Sequence, residues 1–231
     1  MRYEFMLPTP AALIHGSDAL YPVRRIYCVG RNYAAHAREM GFDPAREPPF
    51  FFCKPADSIV TVPAGTTAVV DYPSKTSEYH HEIELVVAIG RAGRDIAVAD
   101  ALEHVFGYAV GLDMTRRDLQ LALRDKGRPW ELGKAFDHSA PLGPLHKVDE
   151  VGHVDRGALW VQVDGQDRQR TDLAKLIWSV PEIIANLSGY FELQPGDLIF
   201  TGTPEGVGPV LRGQTMTGGI DGLGTLSVKV R

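Results

Sequence analysis

Two apolar runs in the middle of the chain have the composition of buried strands. Residues 79–90 become apolar and β-branched after Glu84 and end in Gly90, and residues 105–112 form a second run that leads to Asp113. Runs of this length, bounded by glycine or charged residues, predict strands buried in a sheet. We expect the first of these strands to anchor the fold.

Shorter apolar stretches predict further strands. They lie at residues 26–29, 50–55, 159–163, 198–200 and 224–230. The pair Asp164-Gly165 follows one of them, and Asp-Gly favours a two-residue hairpin turn because that turn needs a positive φ at both positions. A β-hairpin is therefore expected at this point.

Helical patterns are fewer. Asn32 and Gly41 are expected to be the N-cap and the C′ residue of a helix of about two turns. Helical periodicity also covers residues 114–125 and residues 171–188, the latter interrupted at Pro181 with Ser179 as the cap of its second part. The segments 41–49 and 126–137 are expected to be loops, and the first of them is suited to act as a movable cover.

Two glutamates near the start of the first buried strand predict a candidate metal site. Glu82 and Glu84 are two residues apart, so on a strand they face the same way with Cα atoms about 6.7 Å apart. Two carboxylates ~4 Å apart repel by roughly 4 kcal/mol at an effective dielectric constant of ~20. Protonation, solvent exposure or a bound cation relieves that repulsion. The alternative without a metal is a solvated strand face on which the two glutamates pair with Arg or Lys.

Asp113, at the end of the second buried strand, is a candidate third ligand. Three carboxylates without a nearby cysteine make a hard-oxygen site suited to Mg²⁺ or Mn²⁺. His80 has the same parity as the two glutamates, so a histidine ligand and a softer metal remain open.

Further candidates for chemistry lie outside these strands. His36 and Glu39 are three apart on the predicted helix, where a carboxylate beside an imidazole suits a general base, although such a pair is also common as surface decoration. Lys134 lies in an otherwise apolar loop, as a structural ion pair or an active-site cation. The glycine-rich segment 201–208 is either a receptor for a substrate carboxylate or a surface turn.

Composition narrows the classes of function. The chain has 231 residues and a net charge of −5, with 24 basic and 29 acidic residues and no basic run, which argues against a nucleic-acid partner. No apolar run approaches the ~20 residues of a membrane span, and the start lacks a signal-peptide pattern. Cys28 and Cys53 are expected to be buried thiols in a reducing cytoplasm. One domain over residues 1–231 is expected, with residues 1–24 as an irregular lead-in.

Six separate motifs, in this order, resemble the fumarylacetoacetate hydrolase superfamily from about Arg24 onward. They are Gly30-Arg31-Asn32-Tyr33 with His36 and Glu39, His81-Glu82-Ile83-Glu84-Leu85, residues 113–118, Lys134 with Phe136-Asp137, Pro195-Gly196-Asp197, and residues 201–208. The length of the chain and residues 31–54 are most similar to short bacterial members that hydrolyse fumarylpyruvate, a ring-cleavage product of the gentisate pathway.

The resemblance implies a fold and a set of residue roles. The implied fold is α+β and predominantly β, a mixed β-sandwich roll with peripheral helices, in a homodimer. The implied metal ligands are Glu82, Glu84 and Asp113; the implied catalytic residues are His36, Glu39 and Lys134; and the implied substrate contacts are Arg117, Gln120 and Thr203. His36 and Glu39 would activate a water, in a segment that often becomes ordered only with ligand bound.

The resemblance also implies a reaction. A divalent cation, Mg²⁺ or Mn²⁺, would hold a 3-acylpyruvate by its 2-oxo acid oxygens, and hydrolysis would cleave a carbon–carbon bond, giving fumarate and pyruvate from fumarylpyruvate. Alternatives on the same core are decarboxylation or tautomerisation of oxaloacetate and isomerisation of a carboxymethyl-hydroxymuconate. An alternative of another class is a non-catalytic protein that binds a metal or a keto acid.

Overall fold

Strands dominate the described part of the chain. A computed structural model describes residues 4–40 and 47–231. The strands are β1 (Ala11–Leu13), β2 (Leu20–Pro22), β3 (Arg25–Gly30), β4 (Phe50–Lys54), β5 (Ile59–Thr61), β6 (Thr67–Val70), β7 (Tyr79–His81), β8 (Ile83–Ile89), β9 (Val105–Leu112), β10 (Thr115–Arg116), β11 (Ala140–Leu142), β12 (His146–Lys147), β13 (Ala158–Val163), β14 (Gln166–Asp172), β15 (Asp197–Phe200), β16 (Gly208–Pro209), β17 (Thr215–Ile220) and β18 (Gly224–Val230).

The helices are short and lie outside the sheets. The α-helices are α1 (Ala34–Glu39), α2 (Arg117–Arg124), α3 (Glu131–Lys134), α4 (Val148–Val151) and α5 (Val180–Tyr190). Three 3₁₀ helices cover Ala56–Ser58, Val98–His104 and Leu173–Lys175. No helix among residues 4–40 and 47–231 is long and apolar enough to cross a membrane.

Two large sheets form the centre of the fold. The larger has the strand order β4-β3-β15-β8-β9-β11-β5, with β12 beside β9, and the smaller has the order β14-β13-β17-β18-β6. Both mix antiparallel pairs with parallel ones, such as β15 with β3 and β18 with β6. The predicted class, α+β and predominantly β with a mixed sheet and peripheral helices, is confirmed.

Strand β8 is buried on both faces, as its apolar sequence predicts. Leu85, Val87 and Ile89 belong to a core shared with the smaller sheet, whereas Val86 and Ala88 belong to a second core closed by the N-terminal strands. This alternation follows from the two-residue period of a strand. It leaves no solvent-facing side for the strand, so a polar group on it needs a partner inside the protein.

The hairpin prediction at residues 164–165 is confirmed. Strands β13 and β14 pair antiparallel across this turn, and Asp164 and Gly165 have φ angles of 49° and 76°. Positive φ at both positions is what the type I′ geometry requires.

The prediction of one continuous strand over residues 79–90 is wrong in one respect. Strand β7 ends at His81 and belongs to a separate three-stranded sheet, β10-β7-β16, while β8 begins at Ile83. Glu82 lies between them, where the chain passes from one sheet to the next. The polar residues before Glu82 pair with short peripheral strands, and only the apolar run enters the large sheet.

The helix prediction over residues 171–188 holds only for its second part. The first part continues β14 and then forms a 3₁₀ turn. The helix α5 begins after Ser179, as predicted, and the Ser179 amide and hydroxyl both donate to Glu182 Oε2, at 2.9 and 2.7 Å. Leucines three apart at 173 and 176 suit a 3₁₀ turn as well as an α-helix, which explains the error.

Other local predictions also need correction. The N-cap of α1 is Tyr33 rather than Asn32, and the segment 126–137 contains the helix α3 rather than only loop. Helix α2 starts at Arg117 because the two residues before it form β10. Cys28 is buried as expected, but Cys53 is exposed. Gly41 and most of the predicted cover at 41–49 lie outside the described residues.

Gly111 on β9 provides a test of the packing between β8 and its neighbours. A Cβ added at Gly111 would lie 2.6 Å from Val86 Cγ2 and 2.8 Å from Phe200 Cε1, closer than atoms pack. Overpacking of a core costs about 1–3 kcal/mol, so Gly111→Ala should lower the free energy of unfolding by that amount in urea denaturation.

Gly143→Ala is the matched control for this substitution. A Cβ there meets its neighbours at 3.5 and 3.7 Å, which is ordinary contact. Its effect should stay within about 0.5 kcal/mol. Equal unfolding midpoints for the two variants would show that the interior beside Gly111 has spare room and would refute this packing argument.

Candidate active site

Three carboxylates meet on one face at the end of the β8–β9 pair. Glu84 lies opposite Gly111, and the Asp113 amide donates to the Glu82 carbonyl at 2.8 Å, which continues the ladder past the ends of the strands. Side chains directly opposite each other in an antiparallel pair share a face. One oxygen each of Glu82, Glu84 and Asp113 therefore lies within 4.8 Å of the others, and all three residues are buried.

Glu84 has the least charge compensation of the three. Burial raises its pKa well above the ordinary value, and the nearby Asp113 and Glu82 raise it further. The Gly202 amide donates a hydrogen bond to Oε2 of this carboxylate at 2.7 Å. A divalent cation would relieve the repulsion of all three acids, so the donor set fits Mg²⁺ or Mn²⁺.

Lys134 lies between two of these carboxylates. Its Nζ donates to Glu82 Oε2 at 2.8 Å, to Asp113 Oδ2 at 2.6 Å and to Thr115 Oγ1 at 2.7 Å. Burial lowers the pKa of Lys134, but Asp113 and Glu82 outweigh burial and raise it above the ordinary value. Lys134 is therefore a permanent ammonium group at neutral pH.

Lys54 is a second buried lysine at this site, which the sequence analysis did not assign. It ends β4, and its Nζ lies 2.8 Å from Asp113 Oδ1 and donates to the carbonyls of Met114, at 3.1 Å, and Lys134. The ion pair with Oδ1 lacks hydrogen-bond geometry. The sequence signal for this residue was its position at the end of an apolar strand, directly before Pro55.

The first turn of α2 supplies a third cation. Arg117 donates to Glu82 Oε1 and to the side-chain oxygen of Gln120, and both residues are buried. Burial raises the pKa of Glu82, but Lys134 and Arg117 outweigh burial and bring it below the ordinary value. Glu82 is therefore ionised at neutral pH.

His36 and Glu39 are in contact, as their spacing predicts. His36 Nδ1 lies 3.1 Å from Glu39 Oε2, and His36 is buried while Glu39 is exposed. The carboxylate of Glu39 also accepts from the Gly206 amide, at 3.1 Å to Oε1 and 3.2 Å to Oε2. Helix α1 is thus tied to the glycine-rich segment 201–208.

Gln169 is a buried residue that sequence reasoning missed. Its Oε1 accepts from the Ile83 amide at 3.1 Å and lies 3.0 Å from His81 Nδ1. Its Nε2 donates to Thr203 Oγ1 and to the Pro204 carbonyl, both at 2.8 Å. All its hydrogen-bonding positions are used, so Gln169 joins the start of β8 to the segment that carries Thr203.

Asn32 connects distant segments of the chain, as Gln169 does, and does not cap helix α1 as predicted. Its Nδ2 donates to the carbonyls of Trp178, at 3.0 Å, and Thr201, at 2.8 Å, and its Oδ1 accepts from the Trp178 amide at 2.7 Å. These bonds place the start of α1 against the end of β15.

His80 does not belong to the carboxylate cluster. Its Nε2 lies 3.0 Å from Glu78 Oε2, away from the three acids. The prediction that His80 faces the same way as the two glutamates assumed one continuous strand, but the strand breaks at Glu82. Among the described residues, the buried cluster that suits a metal contains only carboxylates, which favours a hard cation over a softer one.

A single pocket opens above the carboxylates. It brings together eight of the nine site residues predicted from the sequence, all except Glu39, which contacts the pocket residue His36. The predicted residues in the lining are His36, Glu82, Glu84, Asp113, Arg117, Gln120, Lys134 and Thr203. The other charged lining residues are Arg31 and Arg124, and the rest of the lining is Val29, Gly30, Met40, Phe50, Phe52 and Trp130.

Residues 25–231 match the model of a protein family, the fumarylacetoacetate (FAA) hydrolase C-terminal family. The chain belongs to the fumarylacetoacetate hydrolase family. Among family members, the fumarylpyruvate hydrolase of Ralstonia sp. is 47% identical over 188 residues, covering 81% of this chain and 95% of that protein. The mitochondrial oxaloacetate decarboxylase of Dictyostelium discoideum is 42% identical over 202 residues, covering 87% and 91%.

A solved structure of the family agrees with the fold throughout. The crystal structure of fumarylpyruvate hydrolase from Pseudomonas aeruginosa, in complex with Mn²⁺ and pyruvate, superposes with a TM-score of 0.98 at 65% identity. The match covers 99% of each chain. The resemblance on the sequence motifs is therefore confirmed at the level of the family.

Gln169 gives a test of how the site is held together. Gln169→Leu keeps the volume but leaves the buried Ile83 amide and Pro204 carbonyl without their partner. Each buried polar group left unpaired costs about 1–3 kcal/mol, so the free energy of unfolding should fall measurably in urea denaturation. Amide hydrogen exchange in segment 201–208 should also become faster.

Gln162→Leu on the adjacent strand is the control. Gln162 Nε2 bonds only to the exposed Asp167, at 2.7 Å, so this variant should leave exchange in segment 201–208 unchanged. Unaltered exchange in the Gln169 variant would mean that the segment is held by other contacts.

Proposed function

We propose that this protein is a metal-dependent hydrolase that cleaves the carbon–carbon bond of a 3-acylpyruvate, with fumarylpyruvate giving fumarate and pyruvate. The observation that carries the proposal is the combination of a His36–Glu39 pair with three buried carboxylates at one pocket. Support comes from the relative that is 65% identical, a fumarylpyruvate hydrolase whose structure contains Mn²⁺ and pyruvate.

In this proposal, Glu82, Glu84 and Asp113 hold one Mg²⁺ or Mn²⁺ ion. When bound, the ion supplies Lewis-acid chemistry, polarising the oxygens of the 2-oxo acid and stabilising negative charge as it develops. The ligands are preorganised for this by the β8–β9 register, and two of the three are held by Lys134 from the side.

His36 is the proposed general base. It takes a proton from a water whose oxygen attacks the distal carbonyl carbon of the acylpyruvate. Glu39 contacts the imidazole through Nδ1 at 3.1 Å, which fixes the orientation of the ring. The bond between that carbonyl carbon and the methylene carbon breaks, the electron pair leaves with pyruvate as an enolate, and the proton returns to the methylene carbon. A general base of this kind contributes roughly 10²–10⁴-fold.

The basic side chains around the carboxylates are proposed to stabilise the negative charge of the substrate. The positive charge of Lys134 is proposed to stabilise the enolate, and Lys54 forms an ion pair with Asp113 beside it. Arg117 and Gln120 line the pocket next to Glu82 and are proposed to contact the substrate carboxylate. Thr203 also lines the pocket and is proposed to contact the substrate. Its hydroxyl already donates to the Ile83 carbonyl and accepts from Gln169 Nε2, both at 2.8 Å.

Oxaloacetate decarboxylation is the second candidate. The relative from Dictyostelium discoideum, 42% identical, has that activity in its name. Decarboxylation needs the same stabilisation of an enolate but no attacking water, so it makes no use of the His36–Glu39 contact. That contact favours hydrolysis.

The proposal includes a biological setting. The enzyme is proposed to act in the cytoplasm, on the gentisate pathway of aromatic catabolism, as a homodimer whose single catalytic domain covers residues 1–231. Two free thiols, Cys28 and Cys53, suit a reducing compartment, and light scattering of the purified protein tests the dimer.

The His36 variant separates hydrolysis from the other reactions. His36→Ala should lower kcat for fumarylpyruvate by roughly 10²–10⁴-fold because the base is lost. Mn²⁺ affinity, measured by calorimetric titration, should stay unchanged, and so should any turnover of oxaloacetate. His80→Ala is the control, since His80 pairs with Glu78 outside the pocket. Full hydrolysis by the His36 variant would exclude its role as base.

The Glu84 variant tests the metal site. Glu84→Gln has the same shape but removes one charged ligand, so both Mn²⁺ affinity and turnover should fall by more than the roughly 10–100-fold that loss of a supporting residue causes. Glu78→Gln, which changes an exposed glutamate, should leave both at the wild-type value. A Glu84 variant that hydrolyses fumarylpyruvate normally in the presence of a chelator would contradict the proposed metal dependence.

A further inference from the structure

The pocket contains two arginines that the proposed reaction does not use. Arg31 directly follows β3, and Arg124 is the last residue of α2. Both line the same pocket as the three carboxylates. Arg31 precedes α1 in the sequence, and Arg124 follows the strands β8 and β9, which hold the carboxylates.

The two guanidinium groups are close enough to affect each other. Burial lowers the pKa of Arg31, Glu47 raises it, and the positive charge of Arg124 lowers it again. Arg124 Nη2 lies 3.0 Å from Asp125 Oδ1, and Arg31 lies 5.2 Å from the centre of the Phe50 ring. A carboxylate bound by both guanidinium groups would interact favourably with both positive charges.

The backbone of Arg31 is in an uncommon conformation. Its φ angle is 59°, in the left-handed region, which is unfavourable for a non-glycine residue. Strain of this kind persists where the surrounding structure holds a side chain in place, and it is concentrated at functional sites. The neighbouring Gly30 lets the Phe50 ring pack closely beside Arg31, because a Cβ on residue 30 would lie 2.0 Å from that ring.

Aromatic rings connect Lys134, whose Nζ lies 5.1 Å from the centre of the Phe52 ring, to Arg31. Phe50 and Trp130 meet edge to face, with ring centres 5.4 Å apart, and Phe52 lies 5.9 Å from Trp130. Flat apolar walls suit a flat conjugated chain such as an enoyl group. They offer no hydrogen bonds, so a charged end of the substrate has to find its partners beyond them.

We propose that Arg31 and Arg124 form a subsite for the distal carboxylate of the acyl group. The subsite selects acylpyruvates whose acyl chain ends in a carboxylate, such as fumarylpyruvate, over those that end in a methyl group. This inference rests on the proposed function, in which the 2-oxo acid end lies at the carboxylate cluster beside Lys134, so that the acyl end extends along the aromatic rings toward Arg31. Guanidinium groups suit the task because they bind carboxylates through two parallel hydrogen bonds.

The test compares two substrates in the Mn²⁺-loaded enzyme. Arg31→Met, Arg124→Met and the double variant are assayed on fumarylpyruvate and on acetylpyruvate, which lacks the distal carboxylate. Hydrogen bonds to a charged group contribute about 1.5–3 kcal/mol, so kcat/KM for fumarylpyruvate should fall roughly 10–150-fold in each single variant. The value for acetylpyruvate should stay within about threefold, and it also reports whether each variant is folded.

Arg128→Met is the matched control. It removes the same charge from an exposed position near the pocket that does not line it, so both substrates should be turned over as by the wild type. Arg31→Lys provides a second check, because it keeps the charge but not the paired hydrogen bonds. Its loss on fumarylpyruvate should be smaller than that of Arg31→Met.

The outcomes separate the subsite from the proposed function. If the Met variants lose both substrates equally, or lose neither, the subsite is wrong while acylpyruvate hydrolysis stands. If the wild-type enzyme turns over neither acylpyruvate, the proposed function fails and the subsite fails with it. A selective loss of fumarylpyruvate turnover in the variants alone supports the subsite.

Discussion

The mutual repulsion of three buried carboxylates is the constraint on which the site depends. Glu82, Glu84 and Asp113 are fixed by backbone pairing rather than by their own preferences, since the β8–β9 register places them on one face. Buried acids without compensation would protonate or destabilise the fold. The protein surrounds them with Lys134, Lys54 and Arg117, which contact Glu82 and Asp113. Within the described residues, no lysine or arginine forms an ion pair with Glu84, which points to a bound cation.

The rest of the site is attached to this cluster through buried side chains. Gln169 reaches from the smaller sheet to the start of β8 and to the segment after β15, and Asn32 fastens the beginning of α1 to the same segment. Glu39 then accepts from Gly206, so the proposed base His36 is positioned relative to the carboxylates through a chain of hydrogen bonds. The two sheets therefore have to pack correctly before the dyad and the metal ligands share one pocket.

The part of the site that sequence reasoning could predict is the part encoded locally. Glu82 and Glu84 are two residues apart on an extended segment, and Asp113 ends the neighbouring apolar run, so strand geometry alone brings them together. His36 and Glu39 follow from helical spacing in the same way. The apolar runs likewise predicted β8 and β9, because a strand buried on both faces needs a continuous hydrophobic sequence.

The remaining features depend on contacts between distant elements. Lys54 and Gln169 lie on strands far from residue 82 in sequence. The position of Lys54 at the end of an apolar strand was a weak local signal, and no local pattern indicates that the Gln169 side chain turns inward. The break at Glu82 was missed because the sheet change is set by pairing partners, and the error at residues 171–175 arose because a strand end and a 3₁₀ turn mimic helical spacing. Resemblance to a family supplied roles for Lys134, Arg117 and Gln120 that their own neighbourhoods in sequence do not reveal.

The most direct measurement is anomalous diffraction from crystals of the protein grown with Mn²⁺, recorded at the manganese absorption edge. The account predicts one strong peak within coordination distance of an oxygen from each of Glu82, Glu84 and Asp113. A peak at other residues, or none at this cluster when the manganese concentration saturates the enzyme, would contradict it.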